Sequence, residues 1–361
     1  MHTILVVGAG KIGTLIAFLL ARTNDYRVYL ADIKQTETHL VLMRSHASFQ
    51  FVTLDATDET TLLDFIKQHA IQALVSSLPY YHNTHIAHVA LRTGTHYFDL
   101  TEDIETTRQI KVLSSNAETA FVSQCGLAPG WIGVLARHMM RDFASINEVK
   151  VRVGALPVTI SNALQYAFTW SVDGLINEYG NPCQVLKEGA LTTAPPLEDC
   201  ELLEIDGLTY ETFNTSGGVG DLIESCQGKV QHLNYKTIRY PGHCQKMKFL
   251  MFDLKLNEDR DTLKRILMRA VPETEQDVVV VYVSVNGMRH QQFVEENRVN
   301  KFYAETMDGL VWSAIQLSTA SEICTVIDLV FADAKKYRGF IHHQAFLYDD
   351  IVKNRFGKYF S

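Results

Sequence analysis

A set of three glycines between an apolar run and a helical pattern constrains this chain more than any other feature. The run Thr3–Val7 (TILVV) is short and β-branched, so it reads as a buried strand. After Lys11, the residues Ile12, Leu15, Ile16, Leu19 and Leu20 recur at helical spacing. Gly8, Gly10 and Gly13 thus form G-x-G-x-x-G at a strand-to-helix turn. The first glycine permits the tight turn, the second lets backbone approach a pyrophosphate, and the third lets helix pack on strand. The backbone N–H groups at Gly10, Lys11, Ile12 and Gly13 then face an anion. Asp32 closes a second apolar run, 24 residues after Gly8, near the spacing of an acid that binds the adenosine ribose. A carboxylate there repels a 2′-phosphate, so NAD is expected over NADP. Lys34 lies close by and pulls the other way.

The rest of the first 140 residues alternates strand and helix: strands at 49–54, 72–78, 95–100 and 118–125, helices at 59–69, 83–93, 104–115 and 131–140. That alternation predicts a doubly wound parallel sheet, the Rossmann form of α/β fold. Ligand then lies beyond the carboxyl ends of the strands. The residues there are Gly8–Gly13, Asp32, Asp55 and Ala56, Ser77–Tyr80, Asp99–Glu102 and Cys125–Gly130.

The pattern changes near Glu148. Segments 148–157, 164–170, 236–240 and 277–285 read as strands, and Asn286-Gly287 reads as a hairpin turn. Helices are expected at about 171–179, 241–251 and 259–270. This is an α+β region, and after Gly309 a long helical pattern returns to pack on the first domain. The expected domains are 1–140, 141–309 and 310–361.

The chain has 361 residues and a net charge of −8, which argues against binding to nucleic acid or an anionic membrane surface. The amino-terminus enters the first strand directly, and no apolar run approaches the ~20 residues of a membrane span. Six cysteines with no C-x-x-C spacing fit a reducing, cytoplasmic setting. His82, His85 and His88 would fan out on a helix, so no metal site is expected.

The segments VVGAGKIG, LDATD, SSLPYYHN, HYFDLTED, CGLAPGWIG, RVGALP, FTWSVDGLINEY and IRYPGHCQKMKFL resemble those of saccharopine dehydrogenase-like oxidoreductases, most closely the lysine 6-dehydrogenase branch. The resemblance runs nearly end to end. It implies a Rossmann domain, an inserted α+β domain for substrate binding and dimerisation, and a helical return. It puts Asp55 and Ala56 at the adenine, Ser77, Leu78 and Pro79 at the nicotinamide ribose, and Arg239 on a substrate carboxylate. The saccharopine-reducing branch carries an aspartate in G-x-D-P-G. Here the motif is GLAPG, with Ala128 at that position, as in the lysine 6-dehydrogenase pattern.

Oxidation at a carbon bearing an amine needs the amine neutral, hence a base or a proton exit. Glu102, Asp99 and Tyr80 are the candidates. Glu102 would stabilise cation or accept a proton, or else serve as a helix N-terminal acid, and Asp99 has a similar alternative as a turn residue. Arg239 suits an α-carboxylate through its two-pronged guanidinium, or else makes a structural ion pair. His243 is a neutral donor or proton carrier, or a core histidine. Cys125 and Gly126 lie beside the cofactor, with Cys125 a small buried residue and no nucleophile. The expected function is an NAD-dependent, homodimeric oxidoreductase acting on the CH–NH or CH–NH2 group of a lysine-type amino acid. Alternatives are a saccharopine-type C–N reductase and a nucleotide-binding scaffold without catalysis. Val278–Val285 is the expected apolar strand of the dimer.

Overall fold

The computed structural model describes residues 1–360. They divide into two compact units, Met1–Leu127 with the segment from Ser318 onward, and Ala128–Leu317.

The first unit is a parallel sheet covered by helices. Its strands are β1 (His2–Val7), β2 (Tyr26–Asp32), β3 (Phe49–Thr53), β4 (Ala73–Ser76), β5 (His96–Asp99) and β6 (Ala120–Val122). Helices α1 (Lys11–Arg22), α2 (Glu37–Ser45), α3 (Glu59–Gln68), α4 (Asn83–Thr93) and α5 (Ile104–Leu113) connect them. The order is β6-β5-β4-β1-β2-β3, with a short strand Gly339–Phe340 beside β6. The chain reverses direction across the sheet between β1 and β4, and ligands of such sheets bind beyond the strand ends at that point. Ile4–Val7 and Ala73–Val75 are fully buried, as strands covered on both faces must be. Side-chain caps set several helix starts. Asp58 accepts from the N–H groups of Thr60 and Thr61 to begin α3, and Asp103 accepts from Thr106 to begin α5.

The second unit holds α6 (Trp131–Met140), β7 (Ser145–Pro157), α7 (Val172–Gly180), β8 (Cys183–Lys187), β9 (Ala190–Ala194), β10 (Glu201–Ile205), β11 (Leu208–Asn214), α8 (Leu222–Cys226), β12 (Val230–Arg239), α9 (His243–Lys248), α10 (Arg260–Ala270), β13 (Asp277–Arg289) and β14 (Gln292–Tyr303). Its sheet runs β10-β11-β12-β7-β13-β14, with β8 paired to β12 and to β9. Only the β7–β12 pairing is parallel, so the sheet is mixed.

Two expectations are corrected here. Asn286-Gly287 lies inside β13, and the hairpin turns at His290-Gln291, both at positive φ. Gly287 is needed for another reason. Pairing with β7 shifts register between Asn286 and Gly287, and a Cβ on Gly287 would overlap the Ser145 carbonyl. It marks a bulge with close backbone approach. Segment 164–170 is no strand. It is irregular and makes one isolated bridge, Phe168 to Glu273. Its aromatic run arises because Tyr166 and Phe168 fill a core with Tyr179, Phe213, Met247 and Leu263. Val278–Val285 is a strand as expected, and β7 and β14 flank it on both sides.

The return begins later than the apolar pattern suggests. Leu310–Trp312 pairs with Glu305–Met307, and helix α11 covers Ala314–Ala332. Asp277 accepts from the N–H groups of Ala314 (2.5 Å) and Ile315 (3.1 Å) and so fixes its start. By length and composition α11 is apolar enough to cross a membrane, but 72% of its apolar window is buried within the protein.

Candidate functional site

Asp32 is tied to the glycine turn. Its carboxylate accepts from the N–H of Ala9 at 2.7 Å and from that of Lys34 at 3.1 Å. The carboxylate therefore sits at the rim of the turn, where the mutual placement of the two predicted elements is fixed by hydrogen bonds. The three glycines differ in what surrounds them. Gly8 has φ +96°, and a Cβ there would meet the Ser77 carbonyl oxygen at 2.7 Å. A Cβ on Gly13 would overlap the Gly8 carbonyl oxygen. A Cβ on Gly10 would meet nothing within 4 Å. Two glycines thus serve packing, and Gly10 leaves an open cradle at the start of α1, ahead of Lys11 and Ile12. That cradle fits a dinucleotide pyrophosphate. His39 lies behind it, buried, with Nε2 3.0 Å from the Thr14 hydroxyl. Burial holds its imidazole below the usual histidine range.

The other strand ends carry distinct structures. Asp55 is exposed and accepts from the Thr57 N–H and hydroxyl, which pulls its carboxyl below the usual range, and Ala56 is buried beside it. Ser77 bonds back to Val7, placing Ser77 and Leu78 against Gly8, and Pro79 leads into a short turn that begins with Tyr80. Asp99 is fully buried. It accepts from Thr101 N–H (2.9 Å), Gln124 N–H (3.2 Å) and the Ser123 hydroxyl (2.7 Å). Burial raises its carboxyl despite these bonds. Asp99 therefore ties the end of β5 to the end of β6. Glu102 is half-buried in the turn before α5. Cys125 is fully buried, and burial pushes its thiol up, which is the wrong direction for a nucleophile. Gly126 follows it, also buried.

Arg239 is the unusual group of the second unit. It is only 3% exposed, yet its Nε has no hydrogen-bond partner, and no described carboxylate pairs with it. One terminal nitrogen donates to the Ile238 carbonyl at 2.8 Å. The guanidinium carbon lies 4.9 Å from the Tyr166 ring centre and 5.8 Å from that of Tyr179. Burial works against its charge, but its neighbours Tyr179, Tyr166 and Glu178 raise it overall, and the guanidinium stays charged. His243 is fully buried below this box, and burial followed by the Arg239 charge pulls its pKa down to about 3. Both of its ring nitrogens are engaged within the unit, so it braces the box and stays uncharged at neutral pH. Ala128 opens the unit, half-buried.

Sequence reasoning passed over Glu211. It faces Arg239 directly across the β11–β12 pairing. Its carboxylate accepts from the N–H groups of Gly242 (2.7 Å) and Cys244 (2.6 Å) at the start of α9. It thereby fixes the Tyr240–Gly242 turn that follows Arg239. Nothing in the spacing marks this role, because cross-strand register is a property of the folded sheet.

A parallel sheet with an open glycine cradle at its reversal point defines a dinucleotide-binding unit of the oxidoreductase type. The two halves of the chain also match family models. Residues 4–123 match the saccharopine dehydrogenase NADP binding domain, and residues 126–358 match the saccharopine dehydrogenase C-terminal domain. The chain belongs to the saccharopine dehydrogenase family of NAD(P)-dependent oxidoreductases. The L-glutamate-forming, NADP-dependent saccharopine dehydrogenase of Saccharomyces cerevisiae is 22% identical over 196 residues, spanning 53% of this chain and 43% of that protein. The match thus spans less than half the length of that relative. The solved apo structure of the L-glutamate-forming saccharopine dehydrogenase from Saccharomyces cerevisiae aligns with TM-score 0.78 and 16% identity, covering 95% of this chain and 94% of that one. A homospermidine synthase from Legionella pneumophila, solved with NAD, aligns with TM-score 0.64 and 12% identity, covering 99% and 89%. These structural likenesses establish the fold.

Proposed function

We propose that this protein is an NAD-preferring dehydrogenase acting on the CH–NH or CH–NH2 group of a lysine-type amino acid. The observation that carries the reading is Arg239, a buried guanidinium that feels the Glu178 charge but makes no ion pair with a described carboxylate and leaves its Nε without a hydrogen bond. A buried charge is costly without a counter-charge, and an amino-acid α-carboxylate supplies one with matching two-pronged geometry. When bound, nicotinamide dinucleotide supplies the hydride acceptor. Gly10, Lys11, Ile12 and Gly13 hold its pyrophosphate, Asp32 its adenosine ribose, and Ser77, Leu78 and Pro79 the nicotinamide end. As the substrate carbon loses hydride, an iminium develops on the substrate. Glu102 accepts the amine proton beforehand or stabilises that cation, and Tyr80 flanks it. Asp99 has its oxygens engaged, so we assign it to holding the loop ends.

Ala128 favours this reading over reduction of a saccharopine-type C–N bond, because the GLAPG turn presents no carboxylate there. The reading includes a homodimer in the cytoplasm. The deciding experiment is a spectrophotometric screen of amino acids with NAD and with NADP at alkaline pH, followed by saccharopine. Reduced nicotinamide appearing with lysine or a related diamino acid supports the proposal. Turnover with saccharopine alone supports the reductase instead, and nucleotide binding without any turnover supports a scaffold.

A further inference from the structure

Glu322 lies on α11 with no exposure to solvent, and its carboxyl oxygens make no good hydrogen bond. Its one ion-pair partner among the described residues is His343, with Nδ1 3.4 Å from Oε1, long for a hydrogen bond. The other nitrogen of His343, Nε2, lies 3.1 Å from the carbonyl oxygen of Ser123. A carbonyl only accepts, so Nε2 carries a hydrogen. A neutral imidazole then offers Nδ1 as an acceptor, and the proton between the two groups belongs on Glu322. Burial pushes the Glu322 carboxyl up, in the same direction. The thiols of Cys125 and Cys324 are the other titratable groups facing it, and burial keeps both protonated.

The contact leads further. Ser123 is the residue after β6, and its hydroxyl donates to Asp99 at 2.7 Å. Asp99 in turn receives the N–H groups of Thr101 and Gln124, and its carbonyl receives the N–H of Cys125. Gln124 sits at φ +67°, a conformation that needs support from its surroundings. One continuous set of contacts therefore runs from Glu322 through His343, Ser123 and Asp99 to the ends of β5 and β6.

We propose that Glu322 and His343, sharing one proton, are positioning residues through which the carboxy-terminal segment sets the Ser123–Gly126 and Asp99–Thr101 turns at the nicotinamide end of the nucleotide unit. The inference rests on the dehydrogenase reading above, since it assigns those strand ends to the nicotinamide. The adenosine end, with Gly10 and Asp32, is bound by other contacts and is independent of this pair.

Titrations of the full chain with NAD and with ADP-ribose, which lacks the nicotinamide, separate the two ends. Glu322→Leu removes the proton donor, and Ser123→Ala cuts the link to Asp99 while changing little else. Both are expected to weaken NAD several-fold, leave ADP-ribose affinity unchanged, and lower kcat by about 10–100-fold, the scale of a small misplacement of reacting groups. Glu322→Gln keeps an N–H directed at Nδ1 and is expected to retain wild-type values. Equal losses for NAD and ADP-ribose would assign the pair to general stability and overturn the proposal, as would no loss for either. A loss in Glu322→Gln as large as in Glu322→Leu would overturn the shared proton. Wild-type protein that binds ADP-ribose and NAD but turns over no amino acid would defeat the dehydrogenase reading, while the affinity comparison still tests this one. Wild-type protein that binds neither nucleotide would defeat both.

Discussion

The hydroxyl of Tyr179 lies 3.2 Å from Nε2 of His243, while Nδ1 of the same ring lies 2.7 Å from the Leu164 carbonyl. The carbonyl requires the hydrogen on Nδ1, so Nε2 accepts and the tyrosine hydroxyl donates. Protonating His243 would break that bond and bury a cation beside Arg239. In the unfolded chain the imidazole titrates near 6.5, and in the fold its pKa is about 3. Below about 6.5 the unfolded chain therefore binds a proton that the folded chain refuses. The stability is complete above about 6.5 and drains as pH falls toward about 3, with a slope of up to ~1.4 kcal/mol per unit. Urea unfolding at a series of pH values checks this. His243→Asn should flatten the slope, leaving a residue from His39 and His96, which burial also holds down. A wild-type stability that stays level across this range would refute the assignment.

Arg239→Lys keeps the charge but loses the planar pair of donors and the stacking on Tyr166 and Tyr179. The expected effect is a loss of about 2–4 kcal/mol in kcat/KM for the amino acid, with NAD affinity nearly unchanged. Steady-state kinetics with a parallel NAD titration measures it. Full kcat/KM in a folded variant would remove Arg239 as the anchor. An equal fall in NAD affinity would assign it to the architecture instead.

The nucleotide unit was legible because its signals are local. A strand, three glycines, a helix and an acid lie within one short stretch, and helix Asn83–Thr93 begins and ends where its pattern predicts. The second unit was less legible because its signals are tertiary. Tyr166 and Phe168 look like strand residues but fill a core, and Gly287 looks like a turn but relieves a crowded strand crossing. Glu211 in the second unit, like Glu322 in the first, engages partners distant in sequence. For Glu322 the cue was an acid inside an apolar helical pattern, which marks a buried carboxyl but not its partner.

The face of β13 and β14 that carries Val278 and Tyr282 also carries Phe293, Val299 and Tyr303, in direct cross-strand register at Tyr282–Val299 and Val278–Tyr303. Phe293 and Tyr303 are 64% and 60% exposed. Glu295, Asn297 and Lys301 interleave with them on this face, and large exposed apolar side chains rimmed by polar ones mark a candidate interface. A homodimer burying more than about 1,000 Å2 is expected through this face. Light scattering at micromolar concentration should show a dimer, and Phe293→Glu with Val299→Lys should give a folded monomer. A dimer unaffected by both changes would place the interface elsewhere.

We propose that cofactor choice turns on Asp32, whose carboxylate would repel a 2′-phosphate, with Lys34 close by in sequence. NAD should bind more tightly than NADP. Asp32→Ser should weaken NAD by about 1–3 kcal/mol, through lost charged hydrogen bonds, while NADP gains from removal of the repulsion. Dissociation constants for both nucleotides in both proteins test this. Tighter NADP binding by the wild type would reverse the assignment.

Gly10 and Gly13 share one motif and should fail differently. Gly13 has no room for a methyl group, because the Gly8 carbonyl oxygen already fills that position. Gly13→Ala must push α1 away from β1, and overpacking of this kind costs about 1–3 kcal/mol of stability. Gly10 is at φ −71° with open space around it, so alanine strains nothing. Gly10 is the N-cap of α1, where alanine is disfavoured, so Gly10→Ala should change the stability of the nucleotide-free protein by no more than about 1 kcal/mol. That open space is the proposed seat of the pyrophosphate, and a methyl group there keeps the phosphate off the backbone. Nucleotide affinity should fall by more than about tenfold, or ~1.4 kcal/mol. Thermal unfolding and NAD titration of both variants separate the cases. If Gly10→Ala binds NAD as the wild type does, the pyrophosphate does not sit at Gly10. If Gly13→Ala unfolds at the wild-type temperature, the contact with Gly8 is looser than its geometry implies.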